Sequence, residues 1–494
     1  MPDRDNLVLA LDIGTSSVRS ALFHIDGQRV MESTSQETTV LSVAPDGRAE
    51  VDPVPLAQAV MRCLDKTLAY ARTNPQTASK KIAAWGTSCF WHSVLATDAH
   101  GTPLSPIYTW ADSRCRDAAA ALRSRYPEKK IHARTGCMLR SSYWPAKLRW
   151  LAAVKPKLFK SALYWLSPGE WLLWKLGLPL QTSVSMASGT GLLDVHKLRW
   201  DPEMLQLCGI RAEQLAPLND FPSPSKPNPS HLLPELRESA CFPAIGDGAA
   251  SNLGSDATTE SLAAINIGTS AAVRVVLDRK KIAVPSGLFL YRVDSDRYLL
   301  GGAISNAGNI REWCLRQLAL SQNMSPEKLW ANLPNANLTV LPFWINERAP
   351  TWPENIPAAI LGLTAATTAA DIYQAVTDAS YLRLAQIADL LPKPPRQPMK
   401  FIVSGGIVKS PQLLGRLANA LNKSLIVSTE SEASLRGAAV FALTKTGYAP
   451  APLSSESTVA PDKTAAAAFA AAGKRQMALE KLVTQFSHSI KNFV

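Results

Sequence analysis

A strand, a Gly-Thr-Ser turn and a second strand occur twice in this chain, as LVLALDIGTSSVRSALF from Leu7 and as LAAINIGTSAAVRVVLD from Leu262. Asp12, Gly14, Thr15 and Ser16 of the first copy stand opposite Asn266, Gly268, Thr269 and Ser270 of the second, 254 residues later. Four matching letters recur easily by chance. What marks these is context, because both copies lie between apolar, β-prone runs and each reads as the start of a domain. With 494 residues and 46% hydrophobic content, the chain can bury a large core divided between two domains.

Strand-like stretches such as IAAWGTS and FIVSGGI alternate with helical patterns, for instance DIYQAVTDASYLRLAQIADLL, whose Ile372, Val376, Ala379 and Ile387 share one helical face. That alternation argues for α/β architecture. Between the two copies, closely spaced prolines in APLNDFPSPSKPNPSHLLPE (Ala216 to Glu235) prevent a regular helix or central strand, marking a domain boundary or a long surface loop. The expected division is 1–243, 244–449 and an Ala-rich helical extension over 450–494, whose role the sequence leaves open.

The net charge of +12 comes from Lys and Arg spread along the chain, without a zinc-finger or RNA-binding signature, which argues against nucleic acid as the partner. Positive potential instead suits small anions such as nucleotide phosphates or a sugar acid. Seven scattered cysteines give neither metal-ligand spacing nor a disulfide framework, and a reducing cytoplasm is expected. The N-terminus lacks a signal-peptide pattern, and no window of about 18 apolar residues predicts a membrane span.

Glycine followed by Thr and Ser at a strand end exposes backbone N–H groups and hydroxyls to phosphate oxygens; each turn alone also reads as an ordinary hairpin connection. Two such turns suit one polyphosphate held from opposite sides. Asp12, just ahead of the first, is placed to hold Mg²⁺ directly or through water. A third glycine turn, Ser404-Gly405-Gly406, leaves a strand and precedes a helix; it either admits a flat ligand such as adenine or simply connects the two. In IGDGAASNLGSDA, Asp247 stands between two glycines, as a tight turn or as the one carboxylate that phosphoryl transfer needs to take the acceptor proton.

These motifs, together with YTWADSR, SMASGTGLLD, GGAISNAGN and NERAPTW, run in order from about residue 7 to about residue 445, and the chain resembles the FGGY family of carbohydrate kinases, most closely its gluconokinase branch. The resemblance implies an actin-like ATPase fold of two RNase H-like domains, with ATP and a sugar or sugar acid meeting in the cleft. By it, Asp247 matches the catalytic base and Asp12 the magnesium region. Gly14, Thr15 and Ser16 match the first phosphate loop, Gly268 and Thr269 the second, and Gly405 and Gly406 the adenosine motif. Trp91, His92, Trp110 and Asp112 fall where the family places sugar contacts, and Asn306 lies in a motif near the cleft. Trp91 and Trp110 also read as core aromatics, and His92 as a histidine satisfied within the protein.

A sugar carboxylate would pair with a guanidinium; among Arg114, Arg140 and Arg274, the last is favoured for its place beside the second phosphate loop. The chain departs from the branch pattern at Trp91, where Met is usual, at Asp256, where glycine is common, and at Ala375, Val376 and Asp378 beside the adenine region. Three functions follow: a kinase for the 6-hydroxyl of gluconate, a kinase for a pentulose or polyol, or a degenerate nucleotide-binding sensor. None implies a nucleic-acid or membrane partner, and a homodimer is compatible with all three.

Overall fold

Leu7–Ile13 (β1) is an apolar run interrupted by one acid, and all seven residues are buried, as in a strand covered on both faces. The computed structural model, described over residues 6–221, 233–280, 282–320, 333–394, 397–454 and 457–490, turns β1 at Gly14–Ser16 into antiparallel β2 (Ser17–His24). β3 (Ser35–Thr38) lies antiparallel on the far side of β2, and β4 (Ile82–Cys89) parallel to β1. The short strands β5 (Ala240–Cys241) and β6 (Ile245–Gly246) both add in parallel to β4, so this first sheet extends to Gly246.

The second sheet repeats the plan. β7 (Leu262–Ile267) turns into antiparallel β8 (Ala271–Leu277), beyond which lie β9 (Phe289–Arg292) and β10 (Tyr298–Ile304), and on its other side β7 pairs in parallel with β11 (Lys400–Gly405). With β12 (Leu425–Val427) and β13 (Ser457–Val459) the order is β9-β10-β8-β7-β11-β12-β13. In each half a hairpin is flanked by an antiparallel strand on one side and a parallel one on the other. The fold is α/β and actin-like, two RNase H-like halves around a cleft.

Helices are fixed at their ends by local chemistry. Asp52 caps α1 (Pro53–Thr73) by accepting from the Val54 N–H, with Pro53 at the first helical position. A reciprocal Thr368–Asp371 capping box starts the long helix Ala369–Leu390, called α3 below; α2 is Asp247–Gly254, directly after β6. α4 (Pro411–Leu421) follows the third glycine turn, and α5 (Ala433–Lys445) returns from the second half to lie on α2 and on β4 of the first sheet. Glycine makes that approach possible: a Cβ at Gly437 would sit 1.7 Å from the Ala250 carbonyl oxygen, and one at Gly86 2.0 Å from that of Ala438.

Most of the proline-rich boundary, residues 222–232, lies outside the described residues. The C-terminal extension forms α6 (Lys463–Ile490), packed on α3, α4 and the strand Thr339–Leu341. Asp256 has a left-handed backbone, φ 57°, the conformation that explains a preference for glycine there. Its carboxylate pairs with buried Arg436 at 2.8 Å and accepts from the Leu453 N–H, tying the segment before α6 to α5. Among the described residues no helix is long and apolar enough to cross a membrane, and all seven cysteines are buried and unbridged.

Candidate active site

Asp247 is the first residue of α2, one step beyond β6, and register places it relative to Asp12. Ile245 pairs with Ser88, and Ser88 with Asp12, so the two acids leave the same sheet two strands apart, roughly 10 Å by ordinary strand spacing. Burial raises the Asp247 carboxyl above its ordinary range, opposed by the nearby Arg274 charge and by the Gly248 N–H, which donates to it at 2.8 Å. Burial also raises Asp12, to about 6, against the pull of Arg19, whose Nη1 lies 3.9 Å away; the charges of Asp247 and Glu432 push it higher still. A buried carboxylate facing another one favours a cation. Among the described residues no group of three or more His, Cys, Asp or Glu could hold a metal, so the donor set fits an ion that keeps waters and takes phosphate oxygens rather than an all-protein cage.

Each Gly-Thr-Ser turn is closed by the N–H of its own glycine, the first over three residues and the second over two. Gly14 N–H donates to the Ser17 carbonyl and Gly268 N–H to that of Ser270, both at 2.9 Å. The second turn is further locked at the start of the helix Gly308–Gln317, where Gly308 N–H donates to the Gly268 carbonyl at 3.0 Å and Asn309 N–H to that of Thr269 at 3.2 Å. Ser16, Gly268 and Thr269 are exposed, and Gly14 and Thr15 half-buried. Asn266, the counterpart of Asp12, donates to Ser404 Oγ at 3.2 Å and brings no charge. Gly405, at φ 93°, lies beside the end of β7, where a Cβ would stand 2.5 Å from the Ile267 carbonyl oxygen; at Gly406 the corresponding space is open. The third glycine turn therefore sits next to the second Gly-Thr-Ser turn.

On the other side of Asp247 the expected sugar contacts separate into two groups. Trp91 is buried: its indole N–H donates to the Ser185 carbonyl at 3.0 Å, and Cβ atoms at Gly246 and Gly248 would lie 1.7 and 2.7 Å from its ring. It is the floor under Asp247 and has no polar group left for a sugar. Asp112 is also spoken for. Its oxygens accept from the N–H groups of Ala49 and Arg114 and from Nε and Nη2 of Arg114, which fills all four lone-pair sites of a carboxylate. Fully buried Asn306 spends its amide on Ile345 and Glu347, so it holds residues 345–347 in place. In these three cases the polar groups are taken up within the protein, by the Ser185 carbonyl, by Ala49 and Arg114, and by Ile345 and Glu347.

His92, Trp110 and Arg274 stay available. His92 Nδ1 is 2.5 Å from the Gly189 carbonyl, which only accepts, so that nitrogen carries the proton; burial holds the ring pKa down to about 3, leaving Nε2 a neutral acceptor 3.5 Å from the Tyr291 hydroxyl. Half-buried Trp110 lies under the Arg348 guanidinium, 4.7 Å from the ring centroid. Arg348 was not singled out from the sequence, although it stands in NERAPTW. Its Nε donates to Ser305 Oγ and its Nη2 to the Ile304 carbonyl, both at 3.1 Å, while Nη1 has no acceptor among the described residues. Arg274 has a buried Nη1 without a partner among the described residues, and its charge is felt by Asp247 and Arg348. By contrast, Arg114 is paired with Asp112 and Glu50, and Arg140 with Glu128.

Residues 7–222 match the N-terminal domain, and residues 263–446 the C-terminal domain, of the FGGY family of carbohydrate kinases. The chain belongs to that family. The gluconokinase of Bacillus subtilis (strain 168) is 26% identical over 463 residues, 89% of this chain and 88% of its own. A gluconate kinase from Lactobacillus acidophilus superposes on the kinase with a TM-score of 0.85 at 24% identity, covering 98% of this chain and 99% of that one. A ligand-bound xylulose kinase from Lactobacillus acidophilus does so with a TM-score of 0.86 at 25% identity, over 98% and 100%. The kinase is therefore an enzyme that phosphorylates a carbohydrate, and α6 lies beyond the residues that match the family.

Proposed function

We propose that the kinase transfers the γ-phosphoryl group of ATP to the 6-hydroxyl of gluconate. The observation that carries the choice of a sugar acid is Arg274: a guanidinium that has, among the described residues, no partner for its buried Nη1 and no carboxylate within ion-pair distance is costly unless an anion completes it. Arg348, locked over Trp110, adds a second positive charge near Asp247.

In this reading Asp247 accepts the proton of the attacking hydroxyl, its raised pKa making it a stronger base than an ordinary carboxylate. The hydroxyls and N–H groups of Thr15, Ser16, Gly268 and Thr269 hold the phosphates, and Gly405 and Gly406 admit the adenosine. Asp12 would hold magnesium directly or through water, and the ion would supply positive charge against the phosphates. His92 orients a sugar hydroxyl through Nε2, and Trp110 supplies a flat apolar wall.

ADP formation is measured with Mg-ATP and gluconate, other sugar acids, xylulose, ribulose, glycerol or erythritol. Strong turnover with gluconate alone is the expected result. A preference for xylulose or glycerol replaces the sugar-acid reading with a pentulose or polyol kinase, and nucleotide binding without sugar-stimulated turnover supports a sensor. The pH profile follows from the same assignment. Asp247 must be ionised to accept a proton and Asp12 to hold a cation, so activity is present above their pKa values and lost as pH falls through them. An acid limb of kcat/KM above the ordinary carboxylate range is expected from Asp247, with no contribution from His92, neutral above about 3. A limb near pH 4 contradicts it.

A further inference from the structure

The helix α6, outside the family-matched residues, reaches the cleft through one buried acid. Glu480 accepts from Arg383 Nη1 at 2.6 Å and from the Thr351 hydroxyl. Arg383, fully buried on α3, donates Nη2 to Thr351 Oγ1 at 2.8 Å and to the Ala349 carbonyl at 3.3 Å. Thr351 and Ala349 belong to the segment 345–352 that carries Arg348. The same segment is also anchored by Asn306 at Ile345, by Glu347, which accepts from the Ser305, Arg348 and Asn306 N–H groups, by the Ala349 N–H on the Ala303 carbonyl at 3.0 Å, by the Trp352 indole N–H on the Gly287 carbonyl at 2.9 Å, and, further on, by Glu354, which crosses to the first half and accepts from the Ser141 N–H at 2.8 Å and from Arg123 at 2.6 Å. Gln476, one turn before Glu480, bonds the Val340 and Ala379 carbonyls at 3.0 Å and thereby fixes the height of α6 on α3.

We propose that Glu480 is a positioning residue for the substrate side of the cleft. It holds the Arg348 segment through Arg383 and Thr351. The physical reason is charge: Glu480 is the only acid within ion-pair distance of Arg383 among the described residues. Without it a buried cation is uncompensated, and the field of Arg383 already reaches Glu347, the carboxylate that ties Arg348 to residues 305 and 306. Losing the Glu480 charge leaves Arg383 to compete for that carboxylate and frees the Thr351 hydroxyl. The segment then loosens around Thr351, between the anchors at Glu347 and Trp352, and Arg348 loses its fixed place over Trp110. The consequence for catalysis rests on the reading that Arg348 faces the sugar; the loosening of the segment does not.

The test uses the full chain and two readouts. In Glu480→Gln, the KM for the accepted sugar substrate is expected to rise about tenfold while the KM for ATP stays within about twofold, with partial recovery in Glu480→Asp. Independently of any substrate, trypsin cleavage after Arg348, followed by the appearance of the Ala349 N-terminus, is expected to quicken at least about fivefold relative to a reference site. Faster cleavage without a change in sugar KM keeps the mechanical link and removes Arg348 from sugar binding. Unchanged cleavage, with or without a lower Tm, overturns the proposal. Should Glu480→Gln not fold, Thr351→Val removes the bridging hydroxyl while leaving the Arg383–Glu480 pair, and the same two readouts decide.

Discussion

Asp247→Asn is expected to lower kcat with the preferred sugar by about a thousandfold, within the range that a positioned general base contributes. The substitution keeps the shape of the side chain and its acceptor toward the Gly248 N–H, so α2 still starts where it does and Trp91 still packs beneath it. What is lost is the ability to take a proton from the attacking hydroxyl. Nucleotide binding should persist within a few fold, because both Gly-Thr-Ser turns are closed by their own backbone hydrogen bonds. Single-turnover ADP formation and nucleotide titration measure the two effects separately. Equal loss of binding and turnover would mean that Asp247 supports the fold, and a small loss of turnover would mean that another group takes the proton.

Arg274→Met is expected to separate acidic from neutral substrates. Truncating one partner of a buried charge pair costs about 2–5 kcal/mol, so the KM for gluconate should rise roughly 30-fold or more. Turnover of a neutral polyol, however slow, should change little. Met is about as long as the aliphatic part of Arg and avoids leaving a cavity beside Gly248, where the Arg274 Nε would lie 2.9 Å from an added Cβ. The same substitution has a pH signature: Arg274 holds the raised pKa of Asp247 down, so without it the pKa climbs further and the acid limb moves to higher pH. Parallel loss for gluconate and polyols, with an unmoved limb, would show that Arg274 serves the phosphoryl group or the fold instead of a sugar carboxylate.

Much of the site is legible along the chain because its chemistry is local. A glycine turn with two hydroxyls at a strand end is a phosphate-binding shape whatever surrounds it, and its repetition at 14–16 and 268–270 exposes the two halves before any coordinates do. An acid between two glycines ahead of small residues, as at Asp247, is likewise readable, since only small neighbours leave room at a helix start. Arg274 was separable from Arg114 and Arg140 by position alone, but that the other two are already paired is visible only in space.

The supports were not legible. Trp91, Asp112 and Asn306 have the right residue types for sugar contacts, yet their polar groups are consumed by Ser185, by Ala49 and Arg114, and by residues 345–347. Arg348 and Glu480 carried no local pattern that pointed to the cleft, because their partners lie 43 and 129 residues away, at Ser305 and Thr351. The sequence by itself determined the duplicated strand plan, the three glycine turns and the acid at the cleft, all features set by neighbours along the backbone. Only the tertiary structure decided which polar side chains remain free for a substrate. A hydrogen-bonding site can be filled once, and what fills it depends on segments brought together from far along the chain.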